Sequence, residues 1–322
     1  MAIITERDIE TNGIRLHTWE AGDRGAPVVV LAHGFPEIGY SWRHQLPALA
    51  AAGYHVLAPD QRGCGRSSAP EGTGDNYTMP TLAADLIGLL DDVGAQRGVF
   101  VGHGFGAAPV WLSGQLHPDR LHGIVGMSVP PEPRGPRPPT EAFRKTFGES
   151  FFYMLYFQQP GPADADLGAD AATTMRRMFA LQPPSEQAAI LRMVSPGPAG
   201  FVERLPEPGG LPDWISAAEF EHYVTEFTRS GFTGALNWYR GLDRTWEVTA
   251  DVPQTIGVPA RFVAGSADPV LGYLPHEDLQ KMFTGDFREV TIDGAGHWLQ
   301  QERPQEINKL LLDFLASVSP AG

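Results

Sequence analysis

Cysteine is nearly absent from this chain, Cys64 being the single one in 322 residues. No intrachain disulfide can form, and a thiolate metal cluster within one chain is excluded. Positive charge is scarce as well: 24 Lys and Arg face 38 Asp and Glu, so that 24 − 38 = −14. A surface of that sign repels phosphate backbones and anionic lipid headgroups, so neither nucleic acid nor a membrane is expected as a partner. Long apolar runs are missing too, with no stretch of about 18 apolar residues and no apolar signal core between Met1 and Glu10. A cytoplasmic location is the expectation. The ten histidines do not fall into H-x-x-x-H or similar spacing with carboxylates, so no metal is expected, and acid–base chemistry of the kind the site residues suggest needs no cofactor.

What is present is 42% apolar residues, enough for one large core with an inserted subdomain. Short β-branched runs end in Gly, Pro or Asp at Val28 to Ala32, His55 to Ala58, Val99 to Val101, Ile124 to Val129, Arg261 to Ala264 and Glu289 to Ile292. Both faces of these runs are apolar, and helical patterns lie between several of them, which predicts parallel strands covered on both sides. The fold class is therefore α/β. Leu82, Leu86, Leu89, Leu90 and Val93 recur at helical spacing, as do Ile307, Leu310, Leu311, Phe314, Leu315 and Val318 beyond Pro304. Six prolines between Pro130 and Pro139 interrupt the rhythm. From Glu141 to about Thr249 the chain reads as helical and aromatic, and strand patterns return at Val258. This predicts a core over 1–132 and 251–322 with a helical cap over 133–250.

The segment Gly102-His103-Gly104-Phe105-Gly106 follows a strand and precedes the helical Ala108 to Leu116. Its form is Gly-x-(nucleophile)-x-Gly, a strand-to-helix elbow that lifts a reactive side chain above a sheet. The central residue here is Gly104, which carries no side chain but accepts the strained backbone freely. Gly102 to Ala107 also fits a dinucleotide-binding fingerprint, G-x-G-x-x-A. That fingerprint needs an acidic residue closing the next strand, whereas Ile124 to Val129 ends in Pro130 and Pro131. Asp268 follows the strand Arg261 to Ala264, and His297 follows Glu289 to Ile292. That is the order nucleophile, acid, base, in which a carboxylate fixes the imidazole tautomer and steadies the imidazolium. A turn-capping aspartate and a backbone-bonded histidine are the plain alternative, but two such residues after successive strands point to chemistry. In His33-Gly34-Phe35-Pro36-Glu37 the glycine permits a turn that can aim the Phe35 amide, with the Phe105 amide, at developing negative charge. The His33 and Glu37 side chains are expected only to bond neighbouring backbone. Cys64 and Ser128 are expected to be structural, neither being placed beside His297 by this pattern.

Taken with Asp60-Gln61-Arg62-Gly63-Cys64-Gly65-Arg66-Ser67, Tyr153-Met154-Leu155-Tyr156-Phe157-Gln158, Asn237-Trp238-Tyr239-Arg240 and Gly296-His297-Trp298, these motifs make nearly the whole chain resemble the epoxide hydrolases of the α/β-hydrolase fold. The resemblance implies an α/β-hydrolase core, a hydrophobic epoxide as substrate and Tyr153 and Tyr239 as the cap tyrosines that hydrogen-bond the epoxide oxygen. Tyr156 is an alternative to Tyr153, and Trp238 is implied at the substrate site. The family carries Asp at the elbow centre, where it forms an ester with an epoxide carbon that a His-activated water then hydrolyses. Gly104 cannot form that ester. Haloalkane dehalogenases share the fold and the Asp but lack the tyrosine pair.

The expectation is therefore that a water near Gly104, deprotonated by His297 and Asp268, attacks the epoxide directly. A small-molecule binding protein without turnover and a disabled variant of an ordinary epoxide hydrolase are the competing readings. A homodimer is left open.

Overall fold

The structure is a computed structural model and describes residues 3–181, 194–272 and 278–318. Eight strands form one sheet in the order β1-β2-β4-β3-β5-β6-β7-β8. They are β1 Ile4–Thr11, β2 Ile14–Ala21, β3 Val28–Ala32, β4 His55–Pro59, β5 Gly98–His103, β6 Leu121–Met127, β7 Ala260–Gly265 and β8 Phe287–Ile292. From β4 to β8 every pairing is parallel, while β1 with β2 and β2 with β4 are antiparallel.

Each of the six runs read as strands from the sequence falls on a strand of this sheet, the run Ile124 to Val129 overshooting β6, which ends at Met127 before the left-handed Ser128 (φ 63°). β1 and β2 were not among them. They form a hairpin turning at Asn12 (φ 45°) and Gly13 (φ 74°), the two positive-φ positions of a tight two-residue turn. β1 reads poorly as a strand because it is a mostly solvated edge, with Thr5-Glu6-Arg7-Asp8 offering no apolar alternation.

The alternation of side chains across the buried strands sorts them into two layers. Val28, Val30, Phe100, Ile124 and Phe262 pack on one face with α2 (Met79–Asp92) and α3 (Ala107–Leu116). Val29, Leu31, Val101, Val125 and Val263 pack on the other with α1 (Gln45–Ala51) and the helix Pro304–Val318. β3 leads to β4 on one side and its other neighbour is β5, so the loops leaving β3 and β5 diverge. Such a switch point opens a crevice at the strands' carboxyl ends.

Among the described residues, every element from Pro139 to Val248 is helical. These helices share an aromatic cluster with residues of the core, including Phe35, Phe157, Tyr223, Phe227, Phe232, Trp238, Tyr239 and Trp298. No helix among the described residues is long and apolar enough to cross a membrane.

Candidate active site

β5 runs into a short turn at Gly104–Gly106 and then into α3. Gly104 has φ +54°, a left-handed conformation at the head of that turn. A Cβ at Gly106 would run into the carbonyl oxygen of His33, so the elbow can lie against the β3 loop only with glycine there. At Gly104 the space is open: an added Cβ would meet nothing closer than Gly34 Cα and His297 Nε2, both at 3.5 Å.

His297 comes from the loop after β8 and Asp268 from the loop after β7. His297 Nδ1 faces Asp268 Oδ2 at 2.9 Å and Oδ1 at 3.1 Å. Both residues are buried. Burial alone pushes the Asp268 carboxyl up, but His297 beside it and the Val270 amide at 2.8 Å outweigh this and hold it below its usual range. The carboxylate therefore stays ionised and keeps the Nδ1 proton in place, leaving Nε2 as the basic atom turned towards Gly104.

Behind this pair lies a second one that sequence reasoning did not find. The Glu37 side chain does more than bond neighbouring backbone. It accepts from the Gly34 amide at 2.9 Å, from Gln300 Nε2 at 2.8 Å and from Gln301 Nε2 at 2.9 Å. His103 Nδ1 donates to its other contact, Glu37 Oε2, at 2.6 Å, while His103 Nε2 donates to the His297 carbonyl at 2.7 Å. Both His103 nitrogens thus face acceptors, which requires a protonated imidazole. Burial opposes that charge, but Glu37 prevails and raises the His103 pKa. Burial likewise opposes ionisation of Glu37, and His103 and the Gly34 amide bring it down to about 2. Ser128 makes a structural bond, as expected, but at a place the sequence pattern did not give: its hydroxyl donates to the His297 carbonyl at 2.8 Å. Residues 66 positions apart, as Glu37 and His103 are, leave no spacing signal. His33 behaves as expected: Nδ1 donates to the Gly34 carbonyl and Nε2 accepts from the Gln61 amide, each at 2.8 Å.

A cavity of about 740 Å³ opens above Gly104 and His297. Phe35, Phe105, Tyr153, Tyr239, Met178, Leu205 and Trp246 line it. Tyr153 comes from the short helix Tyr153–Tyr156 and Tyr239 from the helix Thr233–Arg240. Their rings stand 6.0 Å apart at 77°. Burial, with Tyr153 adding to it, pushes the Tyr239 hydroxyl well above its ordinary range, so it remains a proton donor. Tyr156 does not line the cavity and turns its hydroxyl to Asp166 and the Pro162 carbonyl, both at 3.4 Å. Trp238, implied at the substrate site, is not on the cavity wall either. Its ring stacks under Phe105 at 5.8 Å and its Nε1 donates to the Arg62 carbonyl at 2.8 Å, so it backs the wall rather than forming it. Cys64 is buried, and that burial raises its thiol well above the usual range. It is a packing residue.

The family model described as alpha/beta hydrolase fold matches residues 27–304. Epoxide hydrolase A of Mycobacterium tuberculosis is 60% identical over 320 residues, covering 99% of each chain. Epoxide hydrolase 3 of Siraitia grosvenorii is 38% identical, over 95% of this chain and 96% of that one. The crystal structure of epoxide hydrolase A from Mycobacterium thermoresistibile superposes with a TM-score of 0.96 at 57% identity, covering 99% of this chain and 100% of that one. The chain belongs to the epoxide hydrolase family of the α/β-hydrolase fold.

Proposed function

We propose that the protein opens a hydrophobic epoxide to a vicinal diol, and that Gly104 stands where the family carries its nucleophilic Asp. The observation that carries this is the 3.5 Å between His297 Nε2 and the place of a Cβ on Gly104. A carboxylate grown from that point lies beside the base, in the cavity that Tyr153 and Tyr239 also line. With glycine there, the alkyl-enzyme ester has no atom to form on. The remaining route is direct. His297, with Nδ1 held by Asp268, takes a proton from a water as the water attacks an epoxide carbon. The C–O bond breaks, and the oxygen is protonated by Tyr153 or Tyr239. The helices over 133–250 act as the cap that supplies both tyrosines and closes an apolar chamber, which selects a hydrophobic substrate.

Loss of the covalent partner in a nucleophilic enzyme costs about 10⁶-fold in turnover, positioning leaving a residue of about 10³ to 10⁴ over water. Gly104→Asp should therefore raise diol formation from an aryl-substituted terminal epoxide by about 10³-fold or more. Chromatographic measurement of diol decides it: no rise in a folded Gly104→Asp protein overturns the assignment of this pocket to epoxides. A protein that only binds small molecules gives instead a ligand-dependent rise in melting temperature with no diol from either form.

A further inference from the structure

We infer that the space beside Gly104 is a binding site for a small carboxylate or similar monoanion, which serves as the nucleophile in trans and makes epoxide opening by this chain anion-dependent. The inference rests on the reading of the site as an epoxide pocket and adds a second ligand to it.

Three observations converge. Gly104 lacks the side chain but keeps the room for it, with the nearest atoms to a Cβ at ordinary contact distance, 3.5 Å. One of those atoms is His297 Nε2, which carries or takes protons, and its partner Asp268 is already engaged with Nδ1 and with the Val270 amide. The Phe35 amide has no acceptor in the protein among the described residues, and the residue lines the cavity next to Gly104. Direct attack by water places negative charge only on the epoxide oxygen, at the tyrosines. An amide donor that follows Gly34, whose Cα is 3.5 Å from the place of a Cβ on Gly104, suits a different charge, the oxyanion of an ester under hydrolysis. An ester arises there only if a carboxylate has attacked first.

Formate shows the balance. One formate oxygen attacks an epoxide carbon, the bond from that carbon to the ring oxygen breaks with its electron pair, and the oxygen takes a proton from Tyr153 or Tyr239. The product is a hydroxyalkyl formate held beside Gly104. Water then adds to the formyl carbon while His297 takes its proton, and the Phe35 amide steadies the oxyanion. The intermediate breaks between the formyl carbon and the alkyl oxygen, which receives the proton from His297 and leaves as part of the diol. Formic acid loses its proton, matching the one taken from tyrosine, so the sum is epoxide plus water to diol with formate regenerated. Azide follows the first step alone. Its adduct has no acyl carbon for water to attack, and the azido alcohol accumulates.

The test uses the unaltered protein, an aryl-substituted terminal epoxide and formate with both oxygens heavy-labelled, against chloride at matched ionic strength. The expected result is a saturable rise in diol of about 10-fold to 1,000-fold, less than a tethered carboxylate gives because the free anion lacks the intramolecular advantage. One heavy oxygen should appear in each diol formed by this route, and azide should give azido alcohol while competing with formate. Gly104→Ala, whose methyl group occupies the space, should lose the effect. Diol containing solvent oxygen only, with no azido alcohol, overturns the inference. If Gly104→Asp turns over the same epoxide in that case, the epoxide reading survives. If neither the unaltered protein nor Gly104→Asp forms product, both fall.

Discussion

Position 104 sets chemistry against conformation. At φ +54° a residue with a Cβ is strained by about 1 to 3 kcal/mol, and glycine is not. Gly104→Asp should therefore melt at a lower temperature than the unaltered protein while forming diol faster, and calorimetry alongside product analysis reads both. In that background Asp268→Asn should cut turnover by about 10⁴-fold, because an amide can donate to Nδ1 and stabilise the wrong tautomer. An unchanged rate would remove Asp268 from the reaction. Asp268 and His297 were legible in the sequence because each follows a strand in a fixed chain order. Ser128 was legible only as the end of a strand: that its hydroxyl reaches the His297 carbonyl depends on β6 and β8 lying on either side of β7.

At the scale of elements, Glu37 ties three segments together: its own loop after β3, His103 at the end of β5, and Gln300 and Gln301 in the short helix after His297. Removing one partner of a buried, hydrogen-bonded ion pair leaves the other charge uncompensated, at about 3 to 5 kcal/mol. Glu37→Gln should lower stability by that amount in denaturant unfolding, and a change under about 1 kcal/mol would mean that His103 is neutral in the fold. Elements whose two faces are both apolar, such as β3 and β5, announced themselves. β1 did not, since an edge strand's regularity lies in its hydrogen bonds to β2 rather than in its side chains.

For the whole molecule, buried titrating groups set the pH range of stability. Glu37 drops from 4.5 to about 2, so the stability it contributes is present above pH 4.5 and lost as pH falls towards 2. Burial, partly offset by the Gly34 carbonyl and Glu37, lowers His33 from 6.5 to about 4, and its contribution is lost as pH falls from 6.5 to 4. His103 is raised, so its share is complete below 6.5 and lost as pH rises through the folded value. Asp60, raised by burial from 3.8 to about 6, works against His33 by adding stability as pH falls between those values. The clear loss therefore lies below pH 4.5, where Glu37 and Glu20, both lowered to about 2, give up their share. A melting temperature that stays flat or rises as pH falls from 4.5 towards 2 would contradict these buried charges.

By itself the sequence determined the α/β class, the turn with glycine at its centre and the Asp and His that follow later strands, because strand periodicity and chain order are local or sequential properties. Only the tertiary structure decided that Tyr153 rather than Tyr156 faces the cavity, that Trp238 stands behind Phe105, and that Glu37 and His103 form a buried ion pair hydrogen-bonded to the His297 carbonyl. Those outcomes depend on which residues of separate segments meet in space, and no spacing along the chain encodes that meeting.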